Sequence, residues 1–448
     1  MQLEKESEND ENLSEKRIAM ISTHGYFAAE PPLGAPDTGG QVVYVLELSK
    51  TIARHGYEVD ILTRQFEDQD DVEEVDEHVR ILKFPCGGKD FIPKEYLYMD
   101  IPEWVENALE YMKKHEITYE LINSHYWDAG VAGSLLHEKT GITHVFTPHS
   151  LGTWKKRQML EDYPDDAAHF EKKYNFTERI NRERELFHTV DKVIATTPIQ
   201  EDIILADYDV DPERVVILPP GYDDTFFFPI GQATKDSIRE EFGFKEPTVC
   251  ALSRLASNKG LDLLVDAFAL MNERHIEAHL NLAIGHEERN SSEDKVYKEL
   301  LEKIDQNNLG EKVSFSGFIP QEQLADYYRA ADLFVLSSRY EPFGMTAVEA
   351  MACGTPTVIT KHGGLCRFIH DGIEALIADP FDPEELAMDM ASVLRHDGLS
   401  EVLSNQGSEM VRQHFAWTEI ARHLLEIITG IEEDNGKERE TARGYNQR

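Results

Sequence analysis

The sequence predicts an α/β protein made of two doubly wound parallel sheets. The chain has 448 residues, which is more than one ordinary hydrophobic core accommodates. Its candidate strands are continuous runs of β-branched and other apolar residues, as expected for parallel strands covered by helices on both faces. Helical patterns alternate with these runs, which indicates βαβ units.

The candidate strands fall into two groups, one on each side of residue 230. The first group comprises residues 17–23, 59–63, 79–84, 121–125, 144–149, 192–197 and 214–220. The second group comprises residues 248–254, 279–285, 313–317, 333–338, 355–360 and 374–379. A first long helix is predicted over residues 39–56, because Val42, Val45 and Ile52 share one face and Gly56 provides a C-cap.

The stretch 221–237 interrupts this alternation and is interpreted as the linker between two domains. The predicted segments, in chain order, are a disordered polar tail (1–16), an N-terminal domain (17–230), a C-terminal domain (231–410), a C-terminal helix that packs back on the N-terminal domain (411–431) and a charged tail (432–448). Two such sheets would bind a ligand in a cleft that faces the carboxyl ends of their strands.

Composition excludes several classes of protein. The formal net charge of −39 disfavours binding to nucleic acid and to anionic membranes. No apolar run approaches the roughly 20 residues that span a bilayer, and the first residues lack the apolar stretch of a signal peptide, so we expect a cytoplasmic protein. The four cysteines are scattered, which fits reduced thiols and not a disulfide or zinc framework.

Two common nucleotide-binding motifs are missing from the sequence. No G-x-G-x-x-G follows a predicted strand, which disfavours a nicotinamide or flavin enzyme. The P-loop pattern G-x-x-x-x-G-K-[ST] is also missing, which disfavours a kinase or ATPase of that type.

Two stretches in the first half point to an anionic ligand. APDTGGQ (35–41) opens the first helix, where glycines allow close approach and free amides favour anions, although a simple tight turn is the alternative. In TPHSLGTWKKRQ (147–158) a histidine and a serine leave a strand and three basic residues follow. Because the chain is so acidic, we favour an anion site near a reactive centre over a structural histidine. Arg179, Lys89 and Lys94 could contribute further cations.

Two stretches in the second half suggest a site for a diphosphate and a sugar. In LSRLASNKG (252–260), Arg254 and Lys259 stand five positions apart across a short loop and could clamp a pyrophosphate, with an ordinary surface loop as the alternative. In EPFGMTAVEAMACGTP (341–356) a helix is predicted from about Met345 to Cys353, with Glu349 among small apolar residues. A buried carboxylate needs hydrogen-bond partners, which a sugar hydroxyl, a ribose, a backbone amide or a structural cation would supply.

Taken in order, GGQ, HSLG, SRL-x4-KG and E-x7-E make the chain resemble the retaining glycosyltransferases of family 4, from about residue 17 to about residue 430. The most specific element is the E-x7-E pattern from Glu341 to Glu349. Within that family the sequence is most similar to sucrose-phosphate synthases and bacterial mannosylfructose-phosphate synthases. The resemblance implies the GT-B fold, in which two Rossmann-like domains face each other across a cleft.

The resemblance also implies roles in donor binding. Arg254 and Lys259 match the pair that holds the donor diphosphate, and Glu349 matches the residue that binds the ribose. Glu341 and His149 match residues beside the transferred sugar, and Gly40 matches the loop that lines donor and acceptor. The backbone groups of Phe343, Gly344 and Met345 would contact sugar and phosphate. His149, Arg254, Lys259 and Glu341 are the implied catalytic set. No metal site is implied, and no cofactor is required, although stimulation by a divalent cation on the nucleotide sugar is left open.

For the acceptor, the resemblance implies a pocket for fructose 6-phosphate in the N-terminal domain. The matching residues are Gly39, Gln41, Lys89, Lys94, Tyr126, Ser150, Lys155 and Arg179. One departure concerns Lys89, because the family places a lysine directly before the Phe of F-x-x-K-E, whereas here Asp90 precedes Phe91. The phosphate contact of Lys89 is therefore less well supported than that of Lys155.

The predicted reaction is transfer of a hexosyl group, with retention, from GDP-mannose or UDP-glucose to the 2-hydroxyl of fructose 6-phosphate. The product would be mannosylfructose-phosphate or sucrose 6-phosphate. Three alternatives stay open: a sucrose synthase-like enzyme that uses unphosphorylated fructose, a catalytically silent nucleotide-sugar-binding regulatory protein, and a nucleotide-sugar epimerase.

Overall fold

Two largely parallel sheets, each covered by helices, form the framework of the protein in a computed structural model. The structure describes residues 16–30, 40–162, 167–244, 247–285, 289 and 291–445. By proximity of Cα atoms the chain divides into two units, Met1–Pro219 with Ile420–Arg448, and Pro220–Glu419. No helix among the described residues is both long and apolar enough to cross a membrane.

The sheet of the first unit has eight strands in the order β3-β4-β2-β1-β5-β6-β7-β8. Its strands are β1 (Arg17–Ile21), β2 (Glu58–Gln65), β3 (Val72–Asp76), β4 (Val79–Pro85), β5 (Leu121–His125), β6 (Thr143–Thr147), β7 (Lys192–Ala195) and β8 (Val215–Ile217). All neighbours pair in parallel except β3 and β4, which pair antiparallel. The chain winds outward in one direction from β1 and in the other from β5, so the topological switch point lies between these two strands.

The helices of the first unit flank this sheet. They are α1 (Gly40–Arg54), α2 (Ile101–Lys114), α3 (Trp127–Thr140), α4 (Gly152–Asp162), α5 (Ala167–Tyr174), α6 (Phe176–Thr189) and α7 (Pro198–Tyr208). Their apolar faces pack on strands that are buried along most of their length, as in β2 and β5. Trp104 of α2 and Trp127 of α3 are fully buried in these layers.

The sheet of the second unit has six parallel strands in the order β11-β10-β9-β12-β13-β14. The strands are β9 (Thr248–Ser253), β10 (His279–Ile284), β11 (Val313–Phe315), β12 (Leu333–Leu336), β13 (Thr357–Thr360) and β14 (Leu376–Ala378). The helices are α8 (Gln232–Glu241), α9 (Leu261–Glu273), α10 (Ser291–Gln306), α11 (Gln321–Ala330), α12 (Met345–Ala352), α13 (Pro383–Arg395) and α14 (Asp397–Phe415), followed by α15 (Trp417–Tyr445), which runs into the first unit. The switch point lies between β9 and β12.

The predicted fold class is confirmed, and one strand was missed. The edge strand β3 has the sequence VEEVD and exposes alternate residues, so it lacks the continuous apolar run on which the other strands were recognised. It is held by antiparallel pairing with β4 and by an ion pair of 2.7 Å between Lys83 Nζ and Glu73 Oε2. The predicted strand 144–149 also ends earlier than expected, because Thr147 is the last strand residue and His149 has a left-handed φ of 55°.

Gly260 fixes how closely two loops of the second unit approach. It has a positive φ of 64°, and a Cβ at this position would overlap the carbonyl oxygen of Ser337. Ser337 in turn donates its hydroxyl to the carbonyl oxygen of Lys259 at 3.2 Å. The loop after β9 and the loop after β12 therefore touch at backbone level, which only glycine allows.

Gly260→Ala should destabilise the protein more than Gly243→Ala. Both glycines have positive φ, 64° and 71°, so each alanine carries a left-handed cost of about 1–2 kcal/mol. Only at position 260 does the added methyl group also meet backbone, since nothing lies within 4 Å of a Cβ at position 243. In urea unfolding we expect a further loss of about 2 kcal/mol or more for Gly260→Ala. Equal losses for the two variants would contradict the close approach of the two loops.

Candidate active site

An ion pair joins the two loops at the switch point of the second unit. Lys259 Nζ lies 2.6 Å from Glu341 Oε2, and the hydroxyl of Ser338 donates to the same oxygen at 3.0 Å. Both side chains are largely enclosed, with 17% of Lys259 and 12% of Glu341 exposed. The sequence predicted both residues for the site, but their contact with each other was not anticipated. The charges balance each other and remain at the edge where the strands end.

Arg339 clamps the loop after β12 onto the loop after β9. Its guanidinium makes two hydrogen bonds to Asp262, of 2.8 and 2.6 Å, and one of 2.6 Å to the carbonyl oxygen of Ser257. Burial would raise the pKa of Asp262, but the guanidinium outweighs it and holds that pKa below its usual value. This clamp positions the Lys259–Glu341 pair. The sequence did not predict this clamp, because Arg339 and Asp262 are far apart in the chain and neither belongs to the motifs GGQ, HSLG, SRL-x4-KG and E-x7-E.

The loop after β13 holds the backbone that leads into α12. The amide of Glu341 donates to the carbonyl of His362, and the amide of Gly364 donates to the carbonyl of Glu341, both at 3.1 Å. A Cβ on Gly364 would overlap the carbonyl oxygen of Pro342, so the backbones of these two loops are in close contact at this glycine. These contacts were not predicted, although the consecutive glycines before Leu365 were visible in the sequence.

The helix predicted near Met345 is confirmed as α12. Gly344 precedes it with a φ of 112°, a value that favours glycine, and Phe343 is buried before it. The segment from Phe343 to Met345 thus turns sharply, and the helix starts close to Glu341. The amino end of a helix favours anions because its first amides lack partners within the helix.

Arg254 supplies an accessible cation at the same edge of the sheet as this pair. It follows β9 directly and is exposed, and its side chain has no ion pair within the described ranges. Since β9 and β12 are neighbours at the switch point, Arg254 and Glu341 both follow strands that end at the same edge of the sheet. An unpaired guanidinium in a chain with a net charge of −39 is suited to bind an anion.

Glu349 lies on α12 and is partly buried. The hydroxyl of Tyr328, on α11, donates to its Oε2 at 2.8 Å. Burial raises the pKa of Glu349 to about 7, and the Tyr328 hydrogen bond opposes that rise. Glu349 has no Lys or Arg partner in the part of the chain that the structure describes, so the structural ion pair considered from the sequence is not seen. The carboxyl group can therefore accept or donate a hydrogen bond near neutral pH.

In the first unit, residues that follow the neighbouring strands β5 and β6 have an unusual backbone conformation. Tyr126, after β5, has φ 76° and ψ 162°, a region otherwise almost restricted to glycine. His149, after β6, has φ 55°. Such conformations cost about 1–3 kcal/mol each and cluster at functional sites. Both residues were predicted for the site, whereas the strain was not predictable from residue types.

Arg179 is the centre of a buried network in the first unit. It is only 2% exposed, and it donates to Glu183 Oε1 at 2.7 Å, to the Tyr126 hydroxyl at 2.8 Å and to the carbonyl oxygen of Ser150 at 2.7 Å. Glu183 also accepts from the amide of Gly152 and from the Tyr208 hydroxyl. We expected Arg179 to meet a phosphate directly. In this structure its three nitrogens are engaged, and it orients Tyr126 and Ser150 instead.

The predicted lysines occupy different surroundings. Lys155 Nζ lies 4.5 Å from the centre of the Tyr174 ring, and Lys94 Nζ lies 5.5 Å from that of Tyr126. Lys89 instead pairs with Asp68 at 2.8 Å, with 80% and 93% of the two side chains exposed, beside a cavity of about 420 Å³. Lys94 is thus placed with Tyr126, while Lys89 has its partner elsewhere, in keeping with its departure from the family pattern.

The first turn of α1 connects to the ends of β1 and β5. Gln41 donates its amide to the hydroxyl of Ser22 at 3.0 Å and to the carbonyl oxygen of His125 at 3.2 Å. Gly40 is the first residue of α1, and Gly39 lies outside the described residues. Gln41 therefore stands at the switch point, as the predicted site requires.

A buried histidine–carboxylate pair was missed from the sequence. His24 Nδ1 lies 3.0 Å from Asp128 Oδ1, and the hydroxyl of Thr23 donates to Asp128 Oδ2 at 2.7 Å. Burial would raise the pKa of Asp128, but His24 and Thr23 hold it below its usual value. The residues follow β1 and begin α3, so only the fold brings them together. Within the described ranges, no group of three or more His, Cys, Asp or Glu side chains is arranged to hold a metal ion.

Two family models match the chain. The model described as Glycosyltransferase Family 4 matches residues 38–226, and the model described as Glycosyl transferases group 1 matches residues 234–410. The first match contains the site residues around His149 and Arg179. The second contains Arg254, Lys259 and Glu341.

Similar proteins are known over almost the full length. The chain is 55% identical to the mannosylfructose-phosphate synthase of Agrobacterium fabrum, over 92% of this chain and 91% of that protein. It is 30% identical to the D-inositol 3-phosphate glycosyltransferase of Corynebacterium efficiens, over 92% and 95%. The solved structure of the sucrose-phosphate synthase of Thermosynechococcus elongatus matches with a TM-score of 0.72 and 30% identity, covering 94% of this chain and 100% of that one.

Glu349→Gln should change how stability depends on pH. The pKa of Glu349 is raised from 4.5 to about 7, so the folded state holds this proton more tightly than the unfolded state. The wild-type protein therefore loses stability as pH rises from about 4.5 to 7, and the glutamine variant lacks this loss. Urea unfolding at pH 4.5 and at pH 8 should show the variant gaining relative to wild type at the higher pH. A difference between the two proteins that is independent of pH would contradict the raised pKa.

Proposed function

The chain belongs to glycosyltransferase family 4 and is a hexosyltransferase, and from this premise we propose that it transfers a mannosyl group from GDP-mannose to fructose 6-phosphate. The product is mannosylfructose-phosphate, and the anomeric configuration is retained. The identity of 55% to a protein named mannosylfructose-phosphate synthase supports mannose as the sugar. UDP-glucose is the second candidate donor, supported by the 30% identity to a sucrose-phosphate synthase.

The observation that carries the proposal is the Lys259–Glu341 ion pair, with exposed Arg254 at the same edge of the sheet. Cleavage of the bond between sugar and diphosphate leaves negative charge on the leaving oxygen, and fixed cations stabilise that charge. Arg254 and Lys259 take this role, together with the amino end of α12. Glu341 holds Lys259 in place and offers its carboxylate to the hydroxyls of the sugar.

Glu349 completes the donor site in this proposal. It lies eight residues beyond Glu341 in the chain, on α12, and the amino end of this helix is the proposed diphosphate contact. Ribose hydroxyls both donate and accept hydrogen bonds. A carboxyl with a pKa near 7 and one oxygen already bound to Tyr328 is suited to such a partner.

The acceptor site is proposed at the strand ends of the first unit. Lys155 lies over the ring of Tyr174, and Lys94 lies over the ring of Tyr126. Arg179 holds Tyr126 and Ser150 in place through hydrogen bonds. A phosphate group carries charge that such lysines bind. These cations favour fructose 6-phosphate over unphosphorylated fructose. The complete set of predicted donor residues disfavours a catalytically silent regulatory protein.

A product analysis tests the choice of substrates. Purified protein is incubated with fructose 6-phosphate and either GDP-mannose or UDP-glucose, and parallel samples contain free fructose or no acceptor. We expect a phosphorylated disaccharide with mannose, and no product from free fructose. Turnover that persists in EDTA would support the expectation that no metal cofactor is required. Preferential transfer of glucose would overturn the choice of donor. Conversion of the donor sugar into another sugar in the sample without acceptor would indicate an epimerase. Binding of the donor without turnover would indicate a regulatory protein.

Lys259→Ala should lower kcat by a factor of about 10² to 10³, because removal of one fixed donor from a charge-stabilising site has this effect. Lys303→Ala is the matched control, since Lys303 is also ion-paired, to Asp266 on α9 in the same unit. The control should keep wild-type kcat. Thermal melting of both variants separates loss of fold from loss of turnover. A wild-type kcat in a folded Lys259→Ala protein would contradict the proposed contact between Lys259 and the diphosphate.

A further inference from the structure

Two buried imidazoles stand next to each other at the strand ends of the first unit. His125, the last residue of β5, is 0% exposed, and its Nδ1 lies 2.9 Å from Nε2 of the partly buried His149. Their rings stack with centroids 5.2 Å apart and an angle of 28° between planes. The rings of Tyr44 and His149 form an edge-to-face contact with centroids 4.9 Å apart. The two nitrogens are close enough that a single proton lies between them.

The surroundings of His125 Nε2 determine whether the shared proton is bonded to Nδ1 of His125 or to Nε2 of His149. His125 Nε2 is fully buried and has no hydrogen-bond partner in the described part of the chain. If His149 donated the shared proton, neutral His125 would carry its own proton on Nε2 as a buried donor without an acceptor. Orphaned buried N–H groups are rare in proteins, and each costs about 1–3 kcal/mol. The opposite arrangement leaves Nε2 as a bare nitrogen and satisfies the Nδ1 proton.

Neither ring is a cation in this environment. Burial lowers the pKa of His149 to about 3, with a further contribution from the nearby charge of His24, and burial together with His149 lowers the pKa of His125 well below its usual value. His24 is itself paired with Asp128. Each imidazole of the stacked pair therefore carries one proton, so the position of the shared proton also determines the tautomer of His149.

We propose that His125 is a positioning residue that donates its Nδ1 proton to Nε2 of His149 and so fixes His149 as the Nδ1–H tautomer. His149 then presents a neutral N–H donor at Nδ1. That atom has no partner within the described residues and is not among the fully buried unpaired atoms. The expected ligand group is a hydroxyl oxygen of the transferred sugar, and this last step rests on the proposed function.

The fixed tautomer has a chemical consequence. Neutral imidazole offers one donor and one acceptor, and which nitrogen donates is set by the bond that the other nitrogen makes. With Nε2 occupied as acceptor, His149 can only donate from Nδ1. A hydroxyl bound there must accept, which leaves the proton of the hydroxyl free for another partner. In the opposite tautomer Nδ1 is an acceptor, so the hydroxyl would have to donate its own proton to it and would lose that proton for any other partner.

Nitrogen-15 NMR of histidine-labelled protein reads the tautomer directly. We expect the Nδ1 resonance of His149 at the position of a protonated nitrogen and its Nε2 resonance at the position of a bare nitrogen. Loss of the signals in the His149→Gln variant assigns them. The opposite pattern, with the proton on Nε2 of His149, overturns the proposal. Because this measurement needs no substrate, it is decided even if the proposed reaction is wrong.

Two nearly isosteric variants test the effect on turnover. An asparagine at position 125 can donate its amide proton to Nε2 of His149, whereas an aspartate can only accept there and forces the proton onto Nε2. His125→Asn should keep kcat within about threefold of wild type, and His125→Asp should lose tenfold or more, since an enforced wrong tautomer is strongly deleterious in other imidazole sites. Equal kcat values in two folded variants would contradict the proposal, and the NMR measurement decides it if the aspartate variant does not fold.

Discussion

The ion pair between Lys259 and Glu341 is the contact on which the candidate site of the second unit depends. A charge buried without a partner is strongly destabilising, so each side chain requires the other. Gly260 and the Arg339 clamp bring the loops after β9 and β12 close enough for the pair to form. The pair lies at a topological switch point, where the chain adds parallel strands outward on opposite sides and a crevice for a ligand is expected.

In the first unit, buried carboxylates are likewise stabilised by partners, but the partners are different types of residue. Glu183 is fully buried, yet it accepts from Arg179, Tyr208 and the backbone, and Asp128 accepts from His24 and Thr23 in the same way. In a chain with a net charge of −39, these buried acids are each matched locally. Two lysines of this unit, Lys94 and Lys155, lie over the rings of Tyr126 and Tyr174.

The sequence was sufficient for the fold class, but it did not reveal the hydrogen-bond and ion-pair partners of the predicted site residues. Continuous apolar runs identified the central strands, but the polar edge strand β3 carries no such pattern. Arg179 was identified from its motif, whereas its burial and its bonds to Tyr126 and Ser150 depend on residues 53 and 29 positions away. The orphaned nitrogen of His125 and the backbone of Tyr126 follow from packing, which residue types alone do not specify.

A crystal structure with GDP and fructose 6-phosphate bound tests the assignment of the donor and acceptor halves most directly. We expect the diphosphate against Arg254, Lys259 and the amino end of α12, and the ribose hydroxyls at Glu349. The acceptor phosphate should contact Lys155, which lies over Tyr174, and Lys94, which lies over Tyr126. A diphosphate bound away from Arg254 and Lys259 would contradict the central role of the Lys259–Glu341 pair.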